Sequence, residues 1–225
     1  MLAGLFSANR SWRMQQFLMI AAAHFLALLS PGPDFFLIAR TSLALGWRIA
    51  CGACAGIALA HCAFIVAAFA GVSALRPHSA AFIALQVLGS LYLLYLGYLF
   101  IRHAGRTTLG PPDEPPRLAA SAQTASLGRA AAMGLLVAIL NPKNALFYAS
   151  LASMLAGPGA TAAWKTFYGA WMTCVVLLWD LLVAATIGNG RILKRFSRAL
   201  PWLERASGAV LALVALAMLG ALALE

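Results

Sequence analysis

Acidic side chains are scarce in this chain, with six aspartates and glutamates among 225 residues against 16 lysines and arginines. Charged residues of both signs make up only 10% of the sequence and hydrophobic ones 63%, giving a mean hydropathy of +0.86. So little polar surface cannot cover a soluble globule of this length, which leaves a membrane protein. The connections between apolar runs are short as well, so there is no room for an attached soluble domain. Nor is there a basic surface interleaved with aromatics. The lysines and arginines stand singly or in small groups beside apolar runs, and the formal charge of +10 therefore does not point to nucleic acid.

Cysteines are few. Cys51 and Cys54 form one C-x-x-C, with no second pair and no H-x-x-x-H, and Cys62 and Cys174 lie alone in apolar sequence. No metal site is expected from them, only small residues packing between helices. The chain also lacks a Gly-x-Gly-Asp, a Ser/His pair and an H-E-x-x-H, so no enzyme and no cofactor are expected.

What is present is apolar sequence in blocks. A helix needs about 20 mainly apolar residues to cross a bilayer, and six stretches qualify: Phe17 to Arg40, Ile49 to Leu75, Phe82 to Ile101, Ala130 to Leu155, Thr166 to Ile187 and Ala206 to Leu224. The expected fold is an all-α membrane protein with six transmembrane helices, forming a single transporter domain over residues 1–225. Basic residues divide unevenly between alternate connections. Arg10, Arg13, Arg76 and Lys165 fall in one set. The other holds Arg40, Arg48, Arg102, Arg106, Arg117, Arg129, Arg191, Lys194, Arg195, Arg198 and Arg205. By the positive-inside rule the second set faces the cytoplasm, which puts both termini outside. Met14 offers an alternative start, with residues 1–13 then an extension. A cleaved leader is the competing reading of that end, but the apolar stretch runs on through Pro-Gly-Pro-Asp with no small-residue cleavage site.

The chain reads as two copies of one unit. "SPGPDFFLIARTSLALG" (Ser30 to Gly46) overlays "NPKNALFYASLASMLAG" (Asn141 to Gly157) with Pro31 on Pro142, "FIVAAFAG" (Phe64 to Gly71) overlays "LLVAATIG" (Leu181 to Gly188), and Gly89 can be set against Gly208. The units are residues 14–104 and 129–225. Between them, residues 105–128 are rich in proline, glycine and serine, a flexible linker that also holds Asp113 and Glu114. Three spans per unit is an odd number, so the second copy enters the membrane upside down, giving two inverted three-helix repeats with broken first and fourth helices. Arg191 to Arg205 reads as a basic connection between the fifth and sixth spans, a short helix at the lipid headgroups.

The breaks carry the functional signal. Pro31, Pro33 and Pro142 remove backbone donors and free carbonyls one turn earlier. In lipid such groups persist only where protein or a water-filled cavity covers them, so matched breaks point to a shared interior cavity. A half-helix starting after Pro33 or Pro142 offers free N–H groups and a positive dipole end to an anion such as a carboxylate, while freed carbonyls suit an ammonium group. Charges stand beside both breaks, Asp34 at the first and Lys143 at the second, and Asp180 lies within "VVLLWDLLVAA". A charge at mid-bilayer costs about 2.5–3.5 kcal/mol and normally marks a substrate path or proton relay. The candidate substrate-binding or coupling residues are Pro31, Gly32, Pro33, Asp34, Asn141, Pro142, Lys143, Asn144 and Asp180. Two alternatives stay open, a structural Asp180–Lys143 pair and a Lys143 that snorkels to an interface. His24 and His61 read first as packing residues.

"LALLSPGPDFFLIARTSLALGWRIACGACAGIALAH", "LGSLYLLYLGYLFIR" and "ILNPKNALFYASLASML", in this order and spacing, resemble the motif regions of the LysE/RhtB family of bacterial amino-acid exporters, in the homoserine and threonine efflux branch. The similarity runs from about Met14 to the C-terminus. It implies a six-span carrier of the inner membrane, exporting neutral or basic amino acids by proton antiport, with membrane lipid around it and a tendency to form homodimers. Pro31, Gly32, Asn141, Pro142 and Lys143 match positions typical of the family. Asp180 falls where many members carry an acid, and Asp34 where members differ. The alternative is a divalent-cation exporter of related architecture, using Asp34, Asp180, His24, His61 and the cysteines, which would need those ligands to converge.

Overall fold

The computed structural model describes residues 2–75, 79–106, 126–154, 161–187 and 190–223. Within them run eight helices: α1 (Leu2–Leu29), α2 (Pro33–Leu45), α3 (Trp47–Ser73), α4 (Ala80–His103), α5 (Leu127–Ile139), α6 (Pro142–Met154), α7 (Ala162–Thr186) and α8 (Gly190–Ala223). Arg76 and linker residues 107–125, with Asp113, Glu114 and Arg117, lie outside the described residues, as do the side chains of Arg10, Arg13 and Arg191.

Four helices are long and apolar enough to cross a membrane on their own: α3, α4, α7 and the Lys194–Ala223 part of α8. Two further crossings are bent pairs. Phe17–Leu29 of α1 meets α2 at 51°, and α5 meets α6 at 64°. The chain therefore has four spans, or six with each bent pair as one, and the bends fall at the two expected breaks. Local sequence sets the other boundaries. Ser79, Ser126 and Thr161 accept hydrogen bonds from Phe82 N (3.2 Å), Arg129 N (3.2 Å) and Trp164 N (3.4 Å), capping α4, α5 and α7. Gly46, at φ 85°, turns the chain from α2 into α3 in a conformation that side chains other than glycine rarely adopt.

Two boundaries differ from the expectation. The first helix begins at Leu2, well before Phe17, and the Arg191 to Arg205 stretch is no separate connection but the N-terminal part of α8, which continues through Pro201. Lysine, arginine and leucine are good helix formers, and they carry the helix through the basic stretch and past Pro201 despite the hydrogen bond that proline removes.

The tightest packing joins the first half of the chain to the second. Gly52 rests on the backbone of Leu127, Gly56 on that of Ala131 and Leu135, and Gly134 on that of Ala53, bringing α3 and α5 into main-chain contact. Gly97 of α4 and Gly208 of α8 meet likewise, a Cβ on either standing 2.6 Å from the other's carbonyl oxygen. Lipid tails are as apolar as leucine, so membrane helices gain by close approach of small residues and not by hiding oil from water. Gly56→Val is therefore expected to cost about 1–3 kcal/mol by overpacking. At about 2–4 °C per kcal/mol for a chain of this size, that is a fall of roughly 2–12 °C in melting temperature in detergent. An unchanged melting temperature would mean that the α3–α5 seam is looser than described.

The outer faces are apolar, with Val66, Leu88, Leu178 and Leu213 each more than 60% exposed. Three arginines lie over aromatic rings, Arg48 on Trp47 and Arg102 on Tyr98 near helix ends and Arg205 on Trp202 where the apolar part of α8 begins, each 5.7 Å from the ring centroid. Rings with basic partners suit the membrane–water boundary.

Candidate functional site

The half-helices α2 and α6 are each 13 residues long and each starts on a proline, Pro33 and Pro142. The following residues are Asp34 and Lys143, so opposite charges occupy the same position in the first turn of each. This register sets Pro33 against Pro142, two residues away from the overlay of Pro31 on Pro142. The reason is the length of the first break, Ser30 to Gly32, which exceeds the second, Leu140 and Asn141.

The two starts are capped differently. Asn141 Oδ1 accepts from Lys143 N at 3.1 Å. The Ala138 carbonyl, which Pro142 deprives of its helical partner, accepts instead from Asn141 N (3.3 Å) and Asn144 Nδ2 (3.2 Å). That carbonyl is satisfied within the protein. At α2 the N-cap is Gly32, and no side chain caps the helix. The orphan donors of a first helical turn call for a partner, and at α2 they are left for whatever enters the break.

Both breaks and α7 converge on one cavity of about 50 Å³. Its polar lining is Ser30, Gly32, Asp34, His61, Asn141, Lys143, Asn144, Tyr148 and Asp180, and Phe35, Ile57, Phe147 and Trp179 are among its apolar residues. Pro31, Pro33 and Pro142 shape the breaks without lining it. In this conformation the space suits a few water molecules and is too small for an amino acid.

Asp34 Oδ2 accepts from Asn144 Nδ2 at 2.9 Å and lies 3.2 Å from His61 Nε2. The other nitrogen of that ring, His61 Nδ1, is 2.7 Å from the Tyr148 hydroxyl, which is also 3.1 Å from His24 Nε2. A continuous chain results, buried except for the partly exposed Asp34: His24, Tyr148, His61, Asp34, Asn144. Hydroxyl and imidazole groups can each donate and accept, so the first four members can pass a proton by reversing their hydrogen bonds. His24 Nδ1, Asp34 Oδ1 and Asp180 Oδ2 are buried with no hydrogen-bond partner among the described residues. Buried polar atoms are nearly always paired, and three such exceptions around one site mark a place prepared for a ligand.

Asp180 reaches the cavity from α7 and is 6% exposed. It makes no ion pair with Lys143 among the described residues, so the structural pairing is not formed. Lys143 does not snorkel outward either. Its ammonium lies 4.8 Å above the Phe100 ring and 3.9 Å from the point where a Cβ on Gly32 would stand, directed from the second break towards the first.

Tyr148 escaped the sequence reading although it lies within the quoted "NPKNALFYASLASML". One signal was there: it follows Asn144 by four residues and so shares its helix face. His24 and His61, read first as packing residues, are members of the network. The four cysteines are free. Among the described residues no three His, Cys, Asp or Glu side chains converge in a way that could hold a metal ion.

A family model described as LysE type translocator matches residues 25–221. The threonine efflux protein of Escherichia coli (strain K12) is 31% identical over 209 residues, covering 87% of this chain and 93% of that protein. The threonine efflux protein of Salmonella typhimurium is 30% identical over 207 residues, 88% of this chain and 95% of its own length. The leucine efflux protein of Klebsiella pneumoniae is 33% identical over 126 residues, 55% of each chain. No solved structure gives a significant match.

Proposed function

The chain belongs to the LysE type translocator family, and on that premise we propose that it is a secondary transporter exporting small amino acids or close analogues across the bacterial inner membrane in exchange for protons. The threonine and leucine efflux proteins it resembles support the substrate class. The observation that carries the reading is convergence: two helix breaks and the intramembrane acid Asp180 meet at one cavity. A zwitterion needs both signs of charge within a few ångströms. The uncapped start of α2 and the ammonium of Lys143 hold the carboxylate, and Asp180 with Asp34 receives the amino group or a proton. The His24–Tyr148–His61 chain connects Asp34 to the interior of α1 and gives protons a route.

Alternating access follows from two inverted repeats, α1–α4 and α5–α8, each a bent pair followed by two spans. The equal lengths and proline starts of α2 and α6 support the repeat. Arginine-rich helix ends face the cytoplasm and the termini face outward. At the opposite end Phe17 packs against Phe167, Tyr168 and Trp171, with ring centroids 5.4–5.9 Å apart, closing the outer side.

The test is accumulation of labelled threonine, homoserine and leucine by inside-out vesicles with an acidic lumen. Vesicles carrying the chain should accumulate at least one of them, and a protonophore should abolish the accumulation. Accumulation that survives the protonophore removes proton exchange, and uptake no greater than in vesicles without the chain removes the export reading.

A further inference from the structure

A second cavity, of about 330 Å³, lies beside the polar one on the flank of α7. Leu182, Val183 and Thr186 of α7 and Phe196 of α8 line it, together with Phe35 and Trp179, and these last two rings also line the polar cavity. Phe35 stacks on Phe196 at 5.9 Å and 22°, and Trp179 lies 6.4 Å from the same ring. The partition between the two spaces is thus a pair of aromatic side chains. The one hydroxyl in the lining, on Thr186, donates to Leu182 O at 2.6 Å and is spent within its own helix. The second space is lined almost entirely by hydrocarbon.

From this we infer that the groove is the side-chain subsite of the carrier, so that its substrates include amino acids with hydrocarbon side chains of leucine size or larger. The inference rests on the amino-acid carrier reading above. The polar cavity alone is too small for a whole amino acid, whereas the groove beside it reaches the lower end of the range for small-molecule sites, about 300 Å³. The head group binds between the two breaks, and the side chain lies past Phe35 and Trp179 against Leu182 and Val183. The competing occupant is a lipid tail, because the groove opens along the outer face of α7.

Leu182 is 54% exposed, so it can be enlarged or truncated without entering the core. In inside-out vesicles, Leu182→Trp should lower the ratio of leucine to threonine uptake about tenfold, the scale on which a hydrophobic pocket discriminates by one or two carbons. Leu182→Ala should move selectivity the other way, raising phenylalanine uptake relative to leucine. Ratios do not depend on how much protein reaches the membrane, so poor folding that only lowers the amount of carrier does not shift them. Wild-type ratios in both variants overturn the subsite and leave the groove to lipid. Wild-type transport of threonine with none of leucine or phenylalanine also overturns it, while the export reading stands. No amino-acid transport at all removes the export reading, and the subsite falls with it.

Discussion

Asp180→Asn is expected to reduce gradient-driven amino-acid accumulation in inside-out vesicles by about a hundredfold or more, while the protein still inserts in the membrane. Asparagine keeps the shape of aspartate but can neither exchange a proton nor balance an ammonium group. Asp180 is 6% exposed, and its Oδ2 has no partner among the described residues. Holding a charge at such a place costs about 2.5–3.5 kcal/mol even on the milder scale, and each 1.4 kcal/mol is a factor of ten. A group kept there at that cost, with a lone pair unengaged, is suited to take up and release charge during each cycle. The measurement is the initial rate of threonine accumulation at fixed lumen pH, normalised to protein content. Full gradient dependence in the variant would take Asp180 out of the coupling step.

Lys143→Met is expected to weaken substrate binding and to leave turnover less affected. A hydrogen bond to a charged group contributes about 1.5–3 kcal/mol, which corresponds to roughly a tenfold to hundredfold rise in apparent KM. Methionine retains the length and apolar stem, so the contact with Phe100 survives in part. The discriminating comparison uses threoninamide, which lacks the carboxylate. If Lys143 reads that group, the variant should discriminate against threonine and hardly change its handling of the amide. Equal losses for both compounds would show that Lys143 serves the fold and not the carboxylate.

Much of the site was legible because a membrane makes certain residues expensive. Prolines, an aspartate and a lysine inside apolar spans need a reason, and Gly32, Asp34, Asn141, Lys143, Asn144 and Asp180 do share a cavity. Hydropathy likewise marked the apolar segments, of which four are spans on their own and two more are bent pairs, and the prolines marked the two bends. What stayed illegible depends on contacts far apart in sequence. The Tyr148 hydroxyl joins His61 and His24 across 87 and 124 residues, and nothing local separates a tyrosine of this kind from one that only packs. The register of α2 against α6 was obscured because the first segment has two prolines, and only backbone geometry tells which of them starts a helix. The apolar groove was hidden for a different reason. Leu182 and Val183 read as ordinary span residues, and a gap between helices leaves no mark in the letters.

The seam of Gly52, Gly56 and Gly134 also bears on how such a sequence changes over generations. Because α3 and α5 touch backbone to backbone, a side chain acquired on one helix has no neighbouring side chain to displace and must be met by a shift of the whole facing helix. The two halves are therefore bound to one another's history. Variation can accumulate freely on the lipid-facing surface of either half, while these three positions admit change only when both halves move together.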